Sequence, residues 1–434
     1  MCKSINFISL GCAKNLVDSE KVIAFLEHAG FQVKFEDAKG SFTYVIINTC
    51  GFINDAKEES IDTILNYVKL KQQGRVKTII VMGCLSQRYK QDLIREIPEI
   101  DAIFGVNDFT SLYKYLDISK HAPYYTSVRK LTTPPHYAYL KIAEGCNRQC
   151  AFCAIPAIRG SHTSYPIKAL TAEAAMLQKA GVKELLIVAQ DSTFYGMDLY
   201  GGRKLAELLE ALSLINGIEW IRLNYTYPAH FPVNVLDTIA ANKKICRYID
   251  MPLQHISNNV LKAMQRGINK SQTLQLIEKI RHQLPGAAIR TSFIVGFPNE
   301  TDKEFRELYD FVSETAFDRM GVFMYSHEEG TPAYQLKDTV PQAVKMERFE
   351  ALMTLQQDIS LQKNTQKIGQ SLKVIIDSKN GNTYTGRTEW DAPEVDNEVL
   401  IETSSKLQCG NFYEVVIKNA DAYTLYAELK SEKQ

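Results

Sequence analysis

The chain carries nine cysteines in 434 residues, and six of them form two sets of three. One set is a tight loop, EGCNRQCAFC over residues 144–153, with Cys146, Cys150 and Cys153 spaced C-x3-C-x2-C. The other is dispersed: Cys12, Cys50 and Cys84 each close a short apolar run. Structural zinc takes four ligands, usually as two close pairs. Three thiolates suit a 4Fe–4S cluster instead, in which three irons are held and the fourth stays open to the amino and carboxylate groups of a ligand. Two alternatives stand beside this. A distant histidine such as His162 would complete a zinc site on the loop, and a lone cysteine after a strand is often a small core residue.

These residues need elements to position them. Hydrophobic content of 45%, charged content of 23% and zero formal net charge describe a soluble globular protein with no overall attraction to a polyanion. No run resembles a signal peptide or a membrane span, so a cytoplasmic protein is expected, with thiols rather than disulfides. In the first third, apolar runs over 5–10, 44–48 and 78–82 alternate with helical patterns over 18–28, 56–70 and 87–97. That alternation predicts a flavodoxin-like parallel α/β sheet, whose strand ends share one crevice. The three dispersed cysteines occupy those ends, beside Gly11, Gly51 and Gly83, and are expected to converge on one metal centre.

The middle reads as six strand–helix units, with strands over 137–142, 184–189, 220–225, 248–251, 288–295 and 321–325. A partial TIM barrel is predicted, with the cysteine loop at its C-terminal, chemical face. Thr301 and Glu304 have the spacing of a capping box, and a helix over 342–366 should dock across the barrel. Five short strands follow, with Asn380-Gly381 as a hairpin turn, predicting a small antiparallel barrel of the oligonucleotide-binding kind. The expected domains are 1–130, 131–366 and 367–434.

Two cysteine triads in this order, on this layout, resemble the radical S-adenosylmethionine methylthiotransferases over essentially the whole chain. SLGCAKNLVDSE (9–20) is similar to the branch that modifies a ribosomal protein; the tRNA-modifying branch typically carries Gln-Met-Asn where Ala13-Lys14-Asn15 stand here. YSHEEGTPA (325–333) and RTSFIVGFPNET (290–301) are similar to both branches. The resemblance implies a 4Fe–4S cluster on each triad and a C-terminal TRAM domain. It also implies S-adenosylmethionine as radical source and methyl donor, and an aspartate β-carbon of ribosomal protein S-twelve as the target. A low-potential electron donor such as flavodoxin or ferredoxin and a source of sulfur are implied as partners; a membrane and DNA are not. Side chains do not abstract an unactivated hydrogen, so the hard step belongs to the cofactor. Methylthiolation of a tRNA adenosine and a non-catalytic, zinc-stabilised RNA-binding protein are the alternative functions.

Further candidates to contact the cofactor lie near strand ends: Phe152 in the loop, Gln190 and Asp191 after the second strand, Gln254 after the fourth, Arg290 within the fifth and Gly296 after it. Helix capping, packing and internal ion pairs are the competing readings for these, as for Arg159 and for Tyr195, Tyr225 and Tyr227. Cys2, Cys246 and Cys409 are read as ordinary thiols. Over 366–434, eight Lys and Arg face eleven Asp and Glu. Glu389, Asp391, Glu394, Asp396 and Glu398 concentrate that acid in one expected loop, a candidate surface for a basic ribosomal protein.

Overall fold

A computed structural model describes residues 4–118 and 129–430, so Cys2 lies outside the described residues. The first domain is a five-stranded parallel sheet ordered Gln32–Phe35, Ser4–Ser9, Phe42–Thr49, Val76–Gly83 and Ala102–Ile103. The three central strands are those expected from their continuous apolar runs. The two edge strands were not foreseen, because one is the half-exposed QVKF and the other has two residues. Separate apolar cores cover the two sheet faces, one built with Val22 and Leu26, the other with Ile64 and Val68. The helix expected over 87–97 is two short pieces, Cys84–Arg88 and Lys90–Glu96, broken at Tyr89.

The middle domain holds the six expected strands in two parallel sheets. Trp220–Leu223, Glu184–Val188 and Tyr137–Lys141 form one, and Tyr248–Asp250, Ala288–Val295 and Arg319–Met324 the other. A bridge between Ile221 and Ile245 joins them, so the strands follow chain order around an open barrel. Alternate side chains divide the strands. Ala138, Leu140, Leu185 and Ile187 pack outward under the helices in the largest core. Tyr137, Tyr139, Leu186 and Val188 instead meet Val17, from helix Ala13–His28 of the first domain. That helix covers the inner face of the barrel, bringing the dispersed cysteines to the barrel loop.

Ser371–Asn380, Thr383–Arg387, Glu398–Glu402, Phe412–Ala420 and Thr424–Leu429 close into the expected small barrel, with the hairpin at Gly381. Helix Gln342–Thr365 connects the domains: Gln356 donates to Phe317 O (3.0 Å) and Ser360 to Ala422 O (2.7 Å). The acidic loop is only in part the open surface expected from its charge: Glu394 and Glu398 are exposed, and the other three acids are engaged. Asp391 pairs with Arg319, Asp396 with Arg290 (3.3 Å) and Tyr248 Oη (2.7 Å), and Glu389 accepts from Arg247 N (3.1 Å). Sequence shows the acids together but not the arginines, which come from distant barrel strands. Among the described residues no helix is long and apolar enough to cross a membrane.

Candidate active site

The strand tips of the first domain converge by close backbone approach. A side chain on Gly11 would lie 2.9 Å from Cys50 Sγ, and one on Gly51 would lie 2.7 Å from Leu85 Cα, next to Cys84. Each tip therefore touches the next, and only glycine permits it. Cys12 has exposed surface yet lies deep between the domains, open to a crevice rather than to bulk water. Burial pushes its thiol up, but Lys14 and Arg159 outweigh that and hold it below its ordinary value. Burial raises Cys50, and raises Cys84 to about 11 against the pull of Arg159.

On the barrel, the loop is pinned through Cys146 N to Gly160 O (3.0 Å) and Ala151 N to Met264 O (2.9 Å). Cys150 Sγ meets Arg266 Nη1 at 3.2 Å and Tyr227 Oη at 3.4 Å. Burial pushes Cys146 to about 11 and Cys153 to about 12. Thiols this reluctant to ionise become thiolates against a strongly cationic partner. Three soft sulfur donors per site, all free of disulfides, fit an iron–sulfur cluster. Among the described residues no three His, Cys, Asp or Glu are gathered as around a single metal ion.

The two triads are neighbours. Cys84 packs against Ala154, the residue that follows Cys153. Arg159, at the end of helix Ile155–Arg159, reaches Cys84 Sγ (3.5 Å), Asn15 Oδ1 (3.0 Å), Asp18 (3.2 Å) and Glu144 (2.9 Å). Lys141 bridges the same two carboxylates, standing 2.7 Å from Glu144. Lys141 and Arg159 hold the Glu144 carboxyl far below its ordinary range, to about 2, although burial opposes them. This buried network joins the two domains and fixes the wall between the triads. Lys141, Glu144 and Arg266 were missed from sequence; the available signal was a lysine inside the apolar strand YAYLK.

A radical SAM superfamily model matches residues 140–312, a model described as an uncharacterized protein family matches 4–105, and a TRAM-domain model matches 368–429. Two proteins named ribosomal protein uS12 methylthiotransferase RimO, from Cytophaga hutchinsonii and Flavobacterium johnsoniae, are 49% and 51% identical, each over 98% of this chain and 97% of its own. The chain belongs to the RimO family. Among solved structures, the radical S-adenosylmethionine methyltransferase TsrM from Kitasatospora setae aligns at 13% identity over 81% of this chain and 89% of its own, with a TM-score of 0.57. At that identity the likeness speaks for the fold alone.

As a RimO-family chain the protein is a radical S-adenosylmethionine methylthiotransferase, and the non-catalytic zinc reading is set aside. The other candidate residues divide within its site. Gln190 donates to Glu144 (2.9 Å), while its own Oε1 is buried with no partner. Phe152 is half-buried beside Cys150 and Cys153, and Gln254, four residues past strand Tyr248–Asp250, takes a positive φ of 75° and bridges Phe293. Asp191 is taken up by Arg148 (2.7 Å) and by Thr193 N (2.9 Å). Arg290 pairs with Asp250 (3.0 Å) and Asp396 (3.3 Å), both protein carboxylates. The space beside Gly296 is filled by the Lys345 stem, 2.3 Å from where a side chain would begin. Tyr195 is core, donating to Tyr165 O (2.7 Å). Tyr227 lies against Cys150, and Tyr225 faces Lys14.

Proposed function

We propose that the chain methylthiolates the β-carbon of an aspartate in ribosomal protein uS12, with S-adenosylmethionine as radical source and methyl donor. The packing of Cys84 with Ala154 carries this reading, because it sets the two triads side by side, so that a sulfur group held at one could be passed to the other. Cys146, Cys150 and Cys153 would hold the cluster that binds S-adenosylmethionine, and Cys12, Cys50 and Cys84 the cluster that presents sulfur. When bound there, S-adenosylmethionine would supply the one-electron radical chemistry needed to take an unactivated hydrogen.

The protein's own groups orient and enclose. Gln190 Oε1 is the acceptor we assign to a donor on the cofactor, since a buried unpaired amide oxygen is costly. Phe152 shields the loop from water. The Lys141–Glu144–Arg159 network keeps the two sites in fixed register. A cytoplasmic location, a low-potential electron donor and a sulfur source complete the proposal.

Replacing Cys146, Cys150 and Cys153 together by Ala should halve the iron and abolish cofactor cleavage. Replacing Cys12, Cys50 and Cys84 should also halve the iron but leave some cleavage; full iron content there would overturn the two-cluster reading. Mass spectrometry of uS12 and tRNA from cells with and without the protein tests the substrate. A methylthio group lost from tRNA alone would favour the tRNA-modifying alternative.

A further inference from the structure

The buried acids around the two triads are each matched by a cation. Glu144 and Asp18 are held by Lys141 and Arg159, and Asp191 by Arg148. Asp250 has both oxygens engaged, one by Arg290 (3.0 Å) and the other by Tyr225 N (2.9 Å). Among the described residues Arg266, beside Cys150, has no carboxylate partner, and Lys14, whose charge favours the Cys12 thiolate, has none either. Lys14 stands in the first turn of helix Ala13–His28, two residues from Cys12, and reaches across the domain boundary. Its Nζ lies 3.5 Å above the ring of Tyr225, which follows the third barrel strand at the chemical face. Among the described residues no carboxylate comes within ion-pair distance of it, and the ring is its recorded contact. A ring face satisfies one side of an ammonium, leaving donors directed elsewhere. A cation held this way inside a crevice is stabilised by an anion that arrives from outside.

We propose that Lys14 binds the side-chain carboxylate of the aspartate that receives the methylthio group, making it the residue that selects an acidic target. This rests on the proposed function. The carboxylate carbon is bonded to the β-carbon, so fixing the one fixes the other beside both triads. A neutral target of the same shape would leave the ammonium unpaired, and buried polar groups reject ligands that fail to pair with them.

The test uses anaerobic holoenzyme and recombinant uS12 in two forms, wild-type and with its modified aspartate, located by mass spectrometry, replaced by Asn. Wild-type enzyme should bind the Asp form roughly tenfold more tightly than the Asn form, the usual scale for a hydrogen bond to a charged group. Lys14→Met keeps the length and volume without the charge and should bind both forms alike. Lys14→Arg should restore most of the preference. Iron content and melting temperature accompany each variant; if Lys14→Met loses iron, Lys14→Gln replaces it with the same expectation. Equal weakening toward both forms would show a structural role and overturn the assignment. So would an unchanged preference, or a loss of S-adenosylmethionine affinity in place of uS12 affinity. If wild-type enzyme leaves uS12 unmodified, the proposed function fails and this assignment with it; if it modifies uS12 but Lys14→Met still discriminates, only the assignment fails.

Discussion

Arg159 touches Asn15, Asp18, Cys84 and Glu144, residues of two domains, and is almost fully buried. Removing one member of a buried ion network leaves the others uncompensated. Arg159→Met should therefore cost about 3 kcal/mol in urea denaturation. His255 shows the opposite arrangement. Burial pushes its imidazole from 6.5 down to about 3, and its Nδ1 accepts from Ser257 N at 3.0 Å, as a neutral ring does. A lowered histidine contributes stability that is complete above its unfolded value and lost on acidification, because the unfolded chain takes up a proton that the folded one refuses. Below pH 6, stability should fall by about 1.4 kcal/mol per pH unit more than in a His255→Gln variant. Parallel slopes in the two proteins would contradict this.

Two helices illustrate what a helix start can do. Asp302–Thr315 begins with a reciprocal capping box of Thr301 and Glu304, a pattern already visible in the sequence. Thr301→Ala should destabilise the protein by about 1 kcal/mol, measured as a shift in urea midpoint without a change in slope. Helix Ala13–His28 has no capping side chain, because its N-cap is Cys12, whose carbonyl accepts from Asn15 N (2.9 Å). Its free N–H groups favour negative charge at that cysteine. The sequence placed this helix from Asp18, since its first turn lacks a cap and reads as loop; packing against Tyr137 and Tyr139 extends it back to Ala13.

The C-terminal barrel is tied to the end of the central barrel away from the cysteine loop. Arg222 donates to Glu389 O (2.6 Å), Arg387 pairs with Glu184 (2.8 Å) and Arg319 with Asp391. Buried pairs are poorly screened by salt. Raised ionic strength should therefore leave the tail docked, whereas Asp391→Ala, which strands Arg319, should expose the connection near residue 366 to limited proteolysis. Release of the tail by salt in the wild type would contradict this arrangement.

Local chemistry determined much of this molecule. The six barrel strands, the Thr301–Glu304 box, the Gly381 hairpin and the C-x3-C-x2-C loop are legible because each depends on residue types at short, fixed spacing. What tertiary structure alone decided is which charge meets which. Asp391 and Arg319 are 72 residues apart and Arg159 and Asn15 are 144 apart, separations at which sequence carries no pairing signal. The acidic loop looked open to solvent for that reason. Folding engages Asp391, Asp396 and Glu389, because charges deep in a protein are matched by whatever the chain's path brings alongside.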